Sequence, residues 1–136
     1  MHRLLPLLAV VSALASCTTT QSIPVDERSR TYDAPVPVVL EAAIQALVVQ
    51  GYPIAFVDRA SGLITTDVHY KERVLGDRRL RANVYVDHVA GGQARLTLLL
   101  SAITVSDKGS VDADTMLRRT ARGLYEELLN EIEARV

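Results

Sequence analysis

Apolar and polar positions change period several times along this chain, and each change predicts an element. From Val36 to Gln50 the apolar residues fall at Val36, Val39, Leu40, Ala43, Ile44, Leu47 and Val48, the spacing of one helical face, with Asp33 and Pro35 where a helix start wants them and Gly51 at its stop. Alternation then takes over. Tyr52, Ile54 and Phe56 share one side, Asp58 to Gly62 turn, and Ile64, Thr66, Val68 and Tyr70 return, which predicts a hairpin. Lys71 to Arg79 is charged and reads as an exposed connection. Leu80, Ala82, Val84 and Val86 follow with a clear period of two, Ala90-Gly91-Gly92 turns the chain, and Ala94, Leu96, Leu98 and Leu100 continue the pattern. Pairing even residues with even residues buries both sets, sets Val89 against Gln93 and places Asp87 opposite Arg95. Ser110 or Asp112 is expected to cap a second helix carrying the stripe Leu117, Ala121, Leu124, Leu128 and Ile132. The pattern therefore predicts an α+β domain: a helix, a four-stranded antiparallel sheet and a long C-terminal helix, with both helices on one sheet face and the other face open.

Ahead of this domain the pattern is of another kind. His2 and Arg3 precede an apolar run from Leu4 to Ala15 interrupted by Ser12, the form of a secretory signal and too short for a membrane span, which takes about 20 apolar residues. Leu14-Ala15-Ser16-Cys17 follows and resembles the lipobox of bacterial lipoproteins. In that class the Cys sulfur receives a diacylglyceryl group, cleavage precedes the Cys, and the freed amine is usually acylated as well. The single Cys of the chain stands at that position. Plain secretion would instead leave it an unpaired thiol in an oxidising compartment. Residues 1–16 are thus expected to be a signal peptide, 17–31 a lipidated flexible tether, and 32–136 one domain. Thr18, standing where an inner-membrane lipoprotein tends to carry Asp, implies by the same resemblance the periplasmic face of the outer membrane of a Gram-negative bacterium.

Composition narrows the chemistry. With 15 Lys plus Arg against 16 Asp plus Glu, and no basic stripe, nucleic acid is not an expected partner. Aromatic residues at 4%, with no Trp, leave little for a cofactor pocket walled by rings, and no cofactor is expected. GxSxG, HExxH, CxxC, P-loop and GxGxxG motifs are all missing from the sequence. Asp67 and His69, two apart on a predicted strand, are the minimum geometry for a metal or acid-base pair, with His88 a third group only if the strands bring it near. A solvated polar face is the better reading, so neither catalytic nor metal-binding residues are assigned. Arg73, Arg78, Arg79 and Arg81 cluster near the central connection but interleave with Glu72, Asp77 and Asp87, as a mixed surface does. The open sheet face is more informative. Arg81, Tyr85, Arg95, Leu99 and Ile103 all fall on it and form the candidate partner-binding surface, with Tyr85, Leu99 and Ile103 as apolar anchors.

Several short stretches, Gly51-Tyr52-Pro53-Ile54, Asp58 and Gly62-Leu63-Ile64-Thr65-Thr66-Asp67, resemble the first half of a helix-grip domain in the BamC (NlpB) lipoproteins. Ala94-Arg95-Leu96-Thr97-Leu98 and Asp114-Thr115-Met116-Leu117-Arg118-Arg119 resemble its second half. Members of that family are non-enzymatic accessory lipoproteins of the machinery that inserts β-barrels into the outer membrane. The resemblance implies a protein-binding module anchored through acyl chains on Cys17, with an envelope protein as partner. The alternative is a periplasmic carrier that holds a lipid or other amphiphile between the last helix and the sheet.

Overall fold

The computed structural model of the protein describes residues 23–71, 78–105, 111–113 and 118–136. In chain order its elements are β1 (Ser29–Tyr32), α1 (Val36–Val49), β2 (Ile54–Asp58), β3 (Leu63–Thr66), β4 (His69–Lys71), β5 (Arg78–His88), β6 (Ala94–Val105), β7 (Val111–Ala113) and α2 (Arg118–Glu133), with 3-10 turns at Val25–Arg28 and Ala90–Gly92. The described strands form one antiparallel sheet in the order β1-β6-β5-β3-β2, with β4 beside β5 and β7 beside β6. The class is α+β, as the periodicity predicts, but the strand count of four is corrected to seven. Of the three additions, β1 and β7 are only four and three residues long, too short for alternation to show, and β4 is the end of the predicted returning strand, split from β3 after Thr66.

Helix α1 buries Val39, Leu40, Ala42, Ala43, Ala46 and Leu47. Its start is not capped by Asp33. Pro35 is the N-cap residue and no side chain bonds there; the Pro35 carbonyl accepts the amides of Val38 and Val39 at 3.0 and 3.2 Å. Its end is a Schellman motif, with the Tyr52 amide on the Leu47 carbonyl at 2.8 Å and the Gly51 amide on the Val48 carbonyl at 3.0 Å. Gly51 takes the left-handed conformation that this motif requires, φ 87°.

Strands β5 and β6 pair in the expected register, Val86 with Leu96 and Asp87 with Arg95, and the Val89 amide bonds the Gln93 carbonyl at 2.9 Å. Their even residues, from Leu80 to Val86 and from Ala94 to Ala102, are buried beneath the helices. From α2 the core receives Ala121, Leu124, Tyr125, Leu128, Leu129 and Ile132. Both helices thus cover the same face. Each fully buried Leu contributes roughly 1.5–3 kcal/mol through apolar burial, so this layer dominates the stability.

Two junctions are completed by side chains. Between β3 and β4 the ladder is interrupted, and the buried Thr66 hydroxyl accepts the Ala82 amide at 2.9 Å. Along the outer edge of β6, the stretch between β1 and β7 has no partner strand among the described residues. There the Arg28 guanidinium donates to the Leu98 carbonyl at 3.3 Å, and the Tyr125 hydroxyl accepts the Leu100 amide at 2.8 Å, so groups that a missing strand would orphan are satisfied.

The expected tether is corrected over its second half. Ile23 is buried, Glu27 pairs with Arg122 of α2, the Ser29 and Thr97 hydroxyls lie 3.0 Å apart, and Ser29–Tyr32 is strand β1. A polar composition hid this because β1 lies at a sheet edge, where alternate residues face solvent. The second helix is also corrected at its start: Asp112 does not cap it but lies in β7 opposite Thr104. Ser110 and Leu117 fall outside the described residues, as do most of the charged connection, 72–77, and residues 1–22 with Cys17.

Candidate functional site

The odd residues of β5 and β6 emerge on the face that the helices leave uncovered. Arg81 stands opposite Ser101, Asn83 opposite Leu99, Tyr85 opposite Thr97, and Asp87 opposite Arg95. Directly opposed residues of an antiparallel pair share a face, and diagonal neighbours remain within reach of large side chains. Tyr85 and Leu99 form such a diagonal pair, and both are about half exposed, 49% and 45%. Four of the five predicted residues, Arg81, Tyr85, Arg95 and Leu99, are thus brought to one surface. Ile103 lies opposite Arg79 in the same strand pair, and only its backbone is described.

Two members of this surface escaped the sequence pattern. Phe56 pairs with Thr65, which pairs with Asn83, which pairs with Leu99, so one row runs Phe56, Thr65, Asn83, Leu99 across the open face. The expectation that Phe56 shares a side with Tyr52 and Ile54 fails because the β2–β3 register shifts between Ile54 and Phe56, which turns Phe56 outward to 56% exposure. Tyr70 is displaced by the break after Thr66. It pairs with Arg79 on the open face, and the Arg79 guanidinium lies over its ring at 5.0 Å. The signal for Phe56 was the continuous run Ile54-Ala55-Phe56-Val57, which fixes no phase.

The charged rim is modest. Arg95 donates through two nitrogens to Asp87, at 3.3 and 2.7 Å, an exposed pair worth at most about 1 kcal/mol. Its effect is to fix the Arg95 guanidinium against the Asp87 carboxylate on the neighbouring strand. The face therefore offers aromatic and aliphatic contacts bordered by polar groups, the composition of a docking surface.

Asp67 and His69 do not form a pair. Asp67 is exposed between β3 and β4, its amide bonded to the Pro53 carbonyl at 2.8 Å, whereas His69 begins β4 opposite the buried Leu80 and stacks at 4.9 Å from the Tyr52 ring. His88 lies opposite Ala94, eight residues along β5 from Leu80, or about 26 Å at 3.3 Å per residue. Among the described residues no group of three His, Cys, Asp or Glu side chains is placed to hold a metal.

Two clefts flank α2. One, of about 190 Å³, is lined by Gln50, Tyr52, His69, Leu124, Glu127 and Leu128. Burial first, and the Glu127 carboxylate second, push the Tyr52 phenol up to about 12, so it is a neutral hydrogen-bonding group at physiological pH. The cleft is smaller than the roughly 300 Å³ usual for small-molecule sites. The other, of about 320 Å³, lies between the N-terminal segment and α2 and is lined by Ile23, Glu27, Arg30, Arg122, Tyr125 and Glu126.

An α+β domain with one sheet face packed and the other presented is the class that these observations define. No protein-family model matches the chain. No curated protein matches it either. Among solved structures the chain is similar to the crystal structure of a DUF4468 family protein from Bacteroides ovatus ATCC 8483, with 12% identity and a TM-score of 0.44, over 83% of this chain and 88% of that one. Among the described residues no helix is long and apolar enough to cross a membrane.

Proposed function

We propose that this protein is a non-enzymatic lipoprotein, held by acyl chains on Cys17 at the periplasmic face of the outer membrane, that binds an envelope protein through its open sheet face in β-barrel assembly or envelope maintenance. The observation that carries the reading is the exposure of Phe56, Tyr85 and Leu99 on a face that no element of the described chain covers. Residues exposed in this way contribute little to folding, and a large exposed ring is a suitable anchor for a partner. The anchor supplies the mechanism. Two or more acyl chains hold a protein stably at a membrane, and confinement to a surface raises the effective concentration of a weak interface.

For the fold, this reading takes the helix-grip form of the BamC-like lipoproteins, with α2 lying along the sheet as the gripped helix. The packing favours docking over carriage of an amphiphile: Leu124, Leu128 and Ile132, the stripe beneath which a carrier would keep its cavity, are 5%, 2% and 0% exposed. Cys17→Ala should move the protein from the membrane fraction to the soluble periplasmic fraction while the domain stays folded by circular dichroism. Unchanged fractionation of a folded variant would overturn the anchor.

A further inference from the structure

The cleft between the N-terminal segment and α2 has a composition that the docking function does not use. Two of its charges satisfy one another: the Arg122 guanidinium donates to both carboxylate oxygens of Glu27, at 2.5 and 2.8 Å. Two others do not. Arg30, half-buried, donates one N–H to its neighbouring Ser29 carbonyl at 3.0 Å, and neither it nor Glu126 joins an ion pair among the described residues. The Arg30 guanidinium thus remains for a ligand, and so does the Glu126 carboxylate, which attracts Arg122 through space without pairing with it, above a floor of Ile23 and Tyr125.

A simple anion entering here would meet Glu27 and Glu126, and a simple cation would meet Arg30 and Arg122. A zwitterion has neither difficulty, and guanidinium-phosphate and carboxylate-ammonium hydrogen bonds are both of the strong, charge-assisted kind. The position of the cleft selects among zwitterions. Ile23, which lines it, is six positions from Cys17, so whatever path the intervening residues take they span at most ~21 Å. A chain acylated at Cys17 therefore keeps this cleft, with the exposed Val25 beside it in the chain, within reach of the headgroups.

We infer that the cleft binds a phospholipid headgroup bearing a primary ammonium, with the phosphate on Arg30 and the ammonium on Glu126. The inference rests on the anchoring reading for its choice of ligand. Bound in this way, the domain is oriented, with the N-terminal segment and the first half of α2 toward the bilayer.

The test is a titration of the mature lipoprotein, in micelles of a non-ionic detergent, with glycerophosphoethanolamine, followed by the side-chain Nε–H resonance of Arg122, which lines the cleft and is kept in both variants. The expected result is a saturable shift that glycerol 3-phosphate and ethanolamine fail to reproduce at equal concentration, weakened about tenfold or more in both Arg30→Gln and Glu126→Gln. Equal response to the three compounds, no response, or full retention in both variants would overturn the inference. Because the probe is soluble, the titration reads the cleft alone, whereas fractionation of Cys17→Ala reads the anchor alone.

Discussion

The two faces of the sheet are built from alternate residues of the same strands, yet they answer to different demands. On the covered face Leu96 and Leu98 are fully buried, and the Thr66 and Tyr125 hydroxyls close two breaks in the ladder. On the open face Leu99 and Tyr85 are about half exposed and lie outside the buried core of the described residues. Where a residue's neighbours explain it, stability is sufficient reason for its presence. Where they do not, as along the row from Phe56 to Leu99, another molecule is the simplest explanation of an exposed apolar group.

Leu98 and Leu99 make the sharpest pair for testing this contrast, being the same residue on opposite faces. Leu98→Ala should lower the unfolding free energy by about 2–5 kcal/mol in urea denaturation, and Leu99→Ala should change it by less than about 1 kcal/mol. Comparable losses would break the distinction between the faces. Gly62 ties the hairpin turn to β5: its carbonyl accepts the Val86 amide at 2.8 Å, its φ is 75°, and an added Cβ would stand 2.1 Å from the Val86 carbonyl oxygen. Gly62→Ala should therefore destabilise by well over about 1 kcal/mol, read as a fall in thermal midpoint.

Alkali should act through the covered side. Burial, and secondarily the Glu133 carboxylate, push the Tyr32 phenol up to about 12, burial and Glu127 do the same for Tyr52, and burial raises Tyr125. A folded value above the unfolded one near 10 means that the neutral phenol is favoured by folding. Its stabilisation is complete below pH 10 and is lost as pH rises toward 12. With the exposed Tyr70 and Tyr85 replaced by Phe, ellipticity and tyrosinate absorbance should then change together across that interval; tyrosinate appearing well before the fold is lost would contradict this. The smallest expected effect has the opposite sign. The Tyr32 hydroxyl is buried without a hydrogen-bond partner among the described residues, so Tyr32→Phe should keep or raise stability, by up to about 1 kcal/mol in the same urea experiment.

Much of the covered face is legible in the sequence because both of its signals are long. Helix α1 shows its stripe over four turns, and the β5–β6 hairpin shows strict alternation closed by a glycine turn, which also places Arg81, Tyr85, Arg95 and Leu99 together. What escapes is short or irregular. Strands β1 and β7 offer no period, the break that separates β4 from β3 leaves none, and the polar stretch through Arg30 resembles a tether although Ile23, Arg28 and Ser29 bind it to β6 and α2. Phe56 is hidden by one register shift, which a sequence period of two cannot carry. Asp67 and His69 look paired only while β3 and β4 are taken as one strand.

The open face as a docking surface is tested most directly by placing a photoreactive amino acid at single positions of the lipidated protein in intact envelopes. Leu99 and Tyr85 are the test positions. Val48 and Val49, on the outer surface of α1 and 58% and 63% exposed, are equally accessible apolar controls. The expected result is one discrete protein adduct, the same from Leu99 and Tyr85, with little from Val48 or Val49. Equal yields from the helix positions, or none from the sheet, would contradict the assignment of this face to a partner.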